Sequence, residues 1–359
     1  MNKVYLFGAG IQGQIFLRAM QASKVKVVAV IDSYARHSEL NGIPVIKPDA
    51  VTDKSLPIYI SVGLISRKIK AELLSLGFQF PADFTESLQA FPTIIDELKC
   101  HSLWYSDNIS ERVNHKEIAK FNDLLVDETS RHLLAKLVKF RTDFSIENYI
   151  EPDTQLQYFT DDIPALTSLE SIRFVDAGAY NGDTLQSLFT VASQKQIPID
   201  YCASFEPDPA NLTGLNQAVT SICKDEQVGD IFVYPAGVWH ESAQLSFEAE
   251  SNTSSKLSLG GIDATTINCV ALDDVLYGAK PNFIKMDVEG AEQAALSGTT
   301  RIIQDFTPVL AICLYHTPAD LWEIPALINK LNSNYDMYLR VYGDMLLETV
   351  LYCVPKASQ

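Results

Sequence analysis

The chain has 359 residues, more than one small core needs, and 47% of them are apolar, as expected of a soluble globular protein with two domains. Its 45 Asp and Glu against 28 Lys and Arg leave a net charge of −17, a surface that repels a phosphate backbone and argues against nucleic acid as a partner. No apolar run is long enough to span a bilayer, the run in the opening MNKVYLFGAG is too short for a signal peptide, and the six cysteines form no CxxC pair, so they read as core thiols of a reducing cytoplasm.

Residues 1–83 read as a first α/β domain. Val4–Phe7 is a strand, GAGIQG its exit turn, Gln14–Met20 a helix, and Val25–Ile31 a second strand ending at Asp32. Asn41–Gly42 marks a turn, Ile58–Val62 a third strand, and Arg67–Leu76 a helix stopped by Gly77. Gly8, Gly10 and Gly13 match the GxGxxG pattern in its proper setting, after a strand and opening a helix, with Asp32 nineteen residues on. Glycines there serve either nucleotide contact or close helix–strand packing. No hydride-transfer domain follows, which favours binding over redox chemistry.

Residues 84–165 read as a helical connector. Asp127 caps a helix from Glu128 to about Arg141, with Leu133, Leu134, Leu137 and Val138 on one face. His101, His115 and His132 lie in this stretch without metal-ligand spacing.

From residue 166 to 359 strands and helices alternate again, which predicts a mostly parallel sheet. FVDAGAYNGDT (Phe174–Thr184) is a strand, a glycine turn and a helix start; Tyr201–Phe205 is the next strand, ending on Glu206. Ile231–Tyr234 follows, turning at Pro235–Gly237; Leu245–Phe247 and Ile267–Val270 are short strands around a serine-rich loop at 251–261. Leu272–Leu276 is a brief helix, Phe283–Met286 a core strand running into DVEGAEQAAL, and Val309–Leu314 a strand ending at Tyr315–His316. A helix from about Leu321 to Leu331 precedes two runs, Met337–Val341 and Thr349–Cys353, that form a terminal antiparallel pair.

The strand-to-helix turn after Phe174–Ala177 leaves backbone N–H groups facing outward, suited to a carboxylate or phosphate, and Glu206 stands where a carboxylate can accept from ribose hydroxyls. Together they predict a nucleoside site. Asp176, Gly178, Glu206, Gly237, Asp287 and His316 all fall at strand ends, where ligands of open α/β sheets bind. Asp287, Glu289 and Glu292 form the densest acidic cluster, read either as a charged helix start or as a place where a proton is accepted. His316 is a general base or a histidine bonded near a loop, and Lys285 a partnered charge in its strand.

FVDAGAYNGDT, SFEPDP, IKMDVEGAE, LAICLYH and YLRVY, with QYF at Gln157–Phe159, together resemble the FkbM family of S-adenosylmethionine-dependent methyltransferases over roughly residues 150–355. The resemblance implies a class I methyltransferase domain of α/β class: a Rossmann-like seven-stranded sheet whose last hairpin is antiparallel. It also implies methyl transfer to oxygen, often on a sugar. On it, Asp176, Gly178, Ala179 and Asn181 line the methionine part of the cofactor, Glu206 holds the ribose, and Ala236, Gly237 and Val238 lie by the adenine. Asp287 and Glu289 sit where a small-molecule or glycan acceptor meets the methyl group, with His316 as a further candidate base; no metal ligand is assigned. Many members carry a plainer GAN-type turn, whereas here Tyr180 precedes Asn181. The N-terminal GAGIQG turn, Asp32 and NGIPVI (Asn41–Ile46) resemble the small Rossmann-type domains that precede some sugar-modifying enzymes, which implies a nucleotide or nucleotide-sugar ligand held by Gly8, Gly10, Gly13 and Asp32. The residues leave two rivals, an NAD(P)-dependent oxidoreductase using GAGIQG and a non-catalytic nucleotide-binding module.

Overall fold

A computed structural model describes residues 3–34, 37–224, 229–248, 256–258 and 265–357. By internal contacts the chain divides into two compact units: Met1–Arg112 with Ala135–Asp153 and Gly343–Leu347, and Val113–Leu134 with Thr154–Tyr342 and Glu348–Gln359.

In the first unit, strands β1 (Lys3–Phe7), β2 (Lys26–Ile31), β3 (Glu39–Leu40), β4 (Ile43–Ile46), β5 (Ile58–Ile60) and β6 (Pro81–Ala82) form one sheet in the order β3-β4-β2-β1-β5-β6. All neighbours but the β3–β4 hairpin are parallel, and β1 lies between β2 and β5, the reversal point of a Rossmann-type winding. Parallel strands bury both faces, which is why Leu6, Val30, Ile31, Ile58 and Ile60 are wholly inaccessible. The helix Ile11–Ala22 buries Phe16, Leu17 and Met20. The connector stretch folds into short helices, among them Phe84–Ala90, Ile94–Leu98, His115–Leu124 and Glu128–Thr142. The Asp127 cap expected for the last of these is present: its Oδ1 accepts the Ser130 N–H at 2.7 Å.

In the second unit, β7 (Ile172–Ala177), β8 (Ile199–Phe205), β9 (Asp230–Tyr234), β14 (Phe283–Met286), β15 (Val309–Cys313), β16 (Tyr335–Val341) and β17 (Thr349–Pro355) form a seven-stranded sheet in the order β16-β17-β15-β14-β7-β8-β9. Strands β7, β8, β9, β14 and β15 run parallel, while β17 is antiparallel to both β15 and β16, as the class I methyltransferase expectation requires. The chain winds outward from β7 through β8 to β9, then returns to place β14 on the other side of β7. The carboxyl ends of β7 and β14 therefore flank the switch point, where the two crossovers part and leave a crevice.

The remaining strands, β10 (Gly237–Val238), β11 (Ala243–Glu248), β12 (Lys256–Ser258) and β13 (Thr265–Val270), make a separate four-stranded sheet. Of the stretch 251–261, expected as a serine-rich loop, only Lys256–Ser258 lies within the described residues, and there it is a strand paired with Ser246–Glu248. Three residues with one partner strand are too short to show a period in sequence, which is why the loop reading misses them. Among the described residues no helix is long and apolar enough to cross a membrane.

Candidate active site

The glycine turn at the end of β7 is shaped by what lies beside it. Asp287 is the first residue after β14, in register with Gly178, and its N–H bonds the Ala177 carbonyl at 3.0 Å. Gly178 has φ +82°, and a Cβ there would lie 1.9 Å from the Asp287 carbonyl oxygen. Only glycine lets the two strand ends come this close. Gly182, at φ +86°, opens the helix Asp183–Lys195, where a Cβ would sit 2.7 Å from Ala218 Cβ. Tyr180 adopts φ +46° between them with its ring half exposed, and Asn181 Oδ1 accepts the Asp183 N–H at 3.3 Å.

Glu206, first after β8, is only 6% exposed and ties this turn down. One oxygen accepts the Tyr180 N–H at 2.8 Å; the other accepts the Asp208 N–H at 2.8 Å and the Asn211 amide at 3.4 Å. Burial raises its pKa, and the N–H donors oppose that rise. A carboxylate offers about four acceptor sites. Three are in use, the Asn211 contact being the longest. Next along the sheet, Phe205 and Tyr234 stack with centroids 4.5 Å apart, and the half-buried Gly237 and buried Val238 follow in β10.

Asp176 and Lys285 face each other across β7 and β14, both buried, with Nζ 3.0 Å from Asp176 Oδ1 and donating to the Gly178 carbonyl at 2.5 Å. Burial raises the Asp176 carboxyl despite the lysine. It works against the Lys285 ammonium too, but Asp176 and Asp287 outweigh it and hold that pKa above the usual lysine range. An ion pair this deep persists because each charge answers the other. Lys285 is thus the partnered charge that its apolar strand suggested, and Asp176 is its partner.

Beyond β14 and β15 the polar side chains converge. His316 is 3% exposed, with Nδ1 3.0 Å from Glu292 Oε1 and Nε2 3.4 Å from both Asp287 Oδ1 and Glu289 Oε2. Glu292 opens the helix Glu292–Ser297 and also accepts the Val288 N–H at 2.9 Å, so its helix-start and cluster roles coincide. Asp287 accepts hydroxyl hydrogen bonds from Tyr158 and Tyr315, each at 3.1 Å. Burial alone would raise its carboxyl; Lys285 and His316 outweigh it and keep Asp287 below the ordinary carboxylate range. Burial likewise opposes the charged imidazole of His316, yet Glu292, Glu289 and Asp287 hold its pKa well above that of a free histidine. The two shifts favour a charged carboxylate on Asp287 beside a charged imidazole on His316, each answering the other.

Three members of the cluster have no functional signal of their own in the sequence. Tyr158, from the QYF triplet, reaches Asp287 with its backbone at φ +66°. Glu348, pushed up to about 7 by burial and by Asp287, bonds Gln157 at 2.5 Å and Tyr315 at 3.3 Å. Tyr315 stands out in the sequence only as the end of a strand.

Residues 176–345 match the methyltransferase FkbM domain. The chain carries an FkbM methyltransferase domain. Of the three readings the residues left open, methyl transfer is the one this match selects: the chain is a methyltransferase, and its cofactor is S-adenosylmethionine. The FkbM methyltransferase of Methylobacillus flagellatus KT shares the fold, with a TM-score of 0.59 at 22% identity over 98% of this chain and 90% of that one. An rRNA methylase of Streptococcus thermophilus aligns at a TM-score of 0.33 and 14% identity over 53% of this chain and 89% of its own. An SAH-bound methyltransferase of Podospora anserina aligns at 0.28 and 9% over 75% and 96%. No curated protein matches the chain.

The cluster around Asp287 abuts the turn 178–181 through Gly178, and Tyr180 and Asn181 are exposed there. The N–H groups of Gly178 and Ala179 bond the Phe205 carbonyl and that of Tyr180 bonds Glu206, so at these three positions the backbone donors expected to face outward are taken up within the chain.

In the first unit the same device recurs around GAGIQG: Asp32 accepts the Ala9 N–H at 2.8 Å, as Glu206 accepts from Tyr180, and its other oxygen takes the Tyr34 N–H at 2.7 Å. Gly8 (φ +102°) and Gly13 are demanded by packing, since a Cβ would lie 2.6 Å from Ser61 Oγ and 2.0 Å from the Gly8 carbonyl oxygen respectively. Gly10 has φ −75°, and a Cβ added there would meet nothing within 4 Å.

Proposed function

We propose that this chain is an O-methyltransferase acting on a hydroxyl of a sugar, glycan or related hydroxylated metabolite. The observation that carries the reading is the close approach of Gly178 to the backbone of Asp287, which brings a residue whose carboxyl is held below the ordinary range beside the glycine turn. Asp176 braces Lys285, Lys285 holds the Gly178 carbonyl, and Glu206 holds the turn's next N–H, so Gly178, Ala179 and Asn181 offer a rigid cradle to the methionine part. Glu206 also receives the ribose, while Ala236, Gly237 and Val238 flank the adenine. S-adenosylmethionine supplies an electrophilic methyl group on a positively charged sulfur. Asp287 would accept the acceptor hydroxyl's proton, freeing the oxygen to take the methyl group that the cofactor would supply. Tyr158 and Tyr315 hold the two Asp287 oxygens in place, and His316 offsets the negative charge beside it. Glu289, its side chain 38% exposed, presents a carboxylate to which hydroxyls donate, a suitable surface for a sugar.

Mass spectrometry of glycans from cells with and without the protein tests this. The expected result is one O-linked methyl group present with the chain and absent without it. Transfer found only on nitrogen or carbon acceptors would overturn the hydroxyl reading.

For the first unit we infer a nucleotide or nucleotide-sugar at GAGIQG. Packing explains Gly8 and Gly13 but leaves Gly10 unexplained, and the helix that follows has no side-chain cap, so its N–H groups stay available to phosphate. Gly10→Ala is expected to leave the thermal midpoint unchanged while weakening nucleoside diphosphate binding about tenfold, some 1.4 kcal/mol. Failure of the unaltered protein to bind ADP, UDP or UDP-glucose in calorimetry would remove this reading.

A further inference from the structure

The cluster beyond β14 and β15 holds more negative charge than its own side chains answer. Asp287, Glu289 and Glu292 surround one imidazole, and Lys285, the nearest ammonium, is already shared with Asp176. Three carboxylates around one imidazole in a mostly buried place form an arrangement that favours a bound cation.

A second observation comes from the hydrogen bonding. His316 and Glu292 are 3% and 1% exposed, yet neither ring nitrogen of His316 nor Oε2 of Glu292 has a hydrogen-bond partner among the described residues. Carboxylates stand at 3.0–3.4 Å from the nitrogens but off the direction in which a ring N–H would point. Ligand atoms of Asp287, Glu292 and His316 all lie within 4.8 Å of one another, the separation of donors that share one ion.

We propose that Asp287, Glu292 and His316 bind a divalent transition-metal ion. One imidazole nitrogen with two carboxylates suits Mn²⁺ or Zn²⁺ better than Mg²⁺ or Ca²⁺, which prefer oxygen alone. Three protein donors leave coordination positions for water or a hydroxyl on the side where Asp287 and Glu289 are exposed. A neighbouring triad, Asp287, Cys313 and Glu348, is a poorer host: the Tyr158 hydroxyl sits 3.5 Å from Cys313 Sγ, and both Glu348 oxygens accept from Gln157 and Tyr315. A role for the ion in catalysis, lowering the pKa of the acceptor hydroxyl, rests on the methyl-transfer reading above; the binding site does not.

The test uses the full chain freed of metal with a chelator and titrated calorimetrically with MnCl₂, ZnCl₂ and MgCl₂. The expected result is one Mn²⁺ or Zn²⁺ per chain, bound more tightly than Mg²⁺, with affinity falling at least tenfold in Glu292→Gln and in His316→Gln. Should either variant unfold, the unaltered protein decides: Mn²⁺ raises its thermal midpoint, and anomalous scattering places the ion between Asp287, Glu292 and His316. No saturable binding of Mn²⁺ or Zn²⁺, affinity unchanged in both folded variants, or an ion located elsewhere would each overturn the proposal. S-adenosylhomocysteine binding by the metal-free chain, measured in parallel, keeps the two readings apart: a chain that takes the nucleoside but no ion loses only the metal site.

Discussion

Replacing Glu206 by alanine is expected to weaken S-adenosylhomocysteine binding by about a hundredfold or more, because each hydrogen bond to a buried carboxylate is worth about 1.5–3 kcal/mol. The residue acts on both sides of the interface. In the proposed reading it anchors the ribose, and it holds the Tyr180 and Asp208 N–H groups at 2.8 Å, so the turn loosens when it is removed. The fold survives a loss of about 1–3 kcal/mol against a typical stability of about 5–15 kcal/mol, which a thermal melt of the variant confirms. Glutamine is not a mild substitute. Each carboxylate oxygen accepts a backbone N–H, and an amide NH₂ in either orientation would face one of those donors, which cannot turn away. Both variants should therefore lose affinity in calorimetry. An affinity for S-adenosylhomocysteine within about threefold of the original, in either folded variant, would show that the ribose binds elsewhere.

Asp287→Asn should have the opposite signature: turnover down by about 10²–10⁴-fold, the usual worth of a positioned base, with S-adenosylhomocysteine affinity nearly intact. The backbone of residue 287 abuts Gly178, and asparagine preserves it. The side-chain partners are also forgiving, since the hydroxyls of Tyr158 and Tyr315 can rotate from donor to acceptor, unlike the backbone N–H groups facing Glu206. What asparagine cannot do is accept the acceptor's proton. Steady-state turnover measured beside cofactor affinity separates the two effects, and unchanged turnover would remove Asp287 as the base.

Several strand-end residues of the candidate site were legible before any fold was known, although Asp176, read as lining the methionine part of the cofactor, is wholly buried as the partner of Lys285. Asp176, Gly178, Glu206, Asp287 and His316 each follow or end an apolar run, and in parallel sheets such runs mark buried strands whose carboxyl ends face ligands. The terminal hairpin was legible for a related reason: two apolar runs separated by a short link pair antiparallel. Less could be said of the residues around them. Lys285 and Asp176 are opposite charges in two apolar strands, a hint of pairing, but their register depends on β14 returning to lie beside β7. Tyr158 and Glu348 reach Asp287 from either end of the domain, and both hold left-handed backbone conformations that their residue types do not announce.

By itself the sequence determined the α/β winding, the two glycine turns and the acids that follow them, because apolar period and glycine placement are local properties. The tertiary structure decided which glycines the packing requires. It separated Gly13, whose missing side chain admits the Gly8 carbonyl, from Gly10, which has open space around it. It also decided the electrostatics of the cluster, for the downward shift of Asp287 and the upward shift of His316 come from Lys285, Glu289 and Glu292 closing around them against the cost of burial.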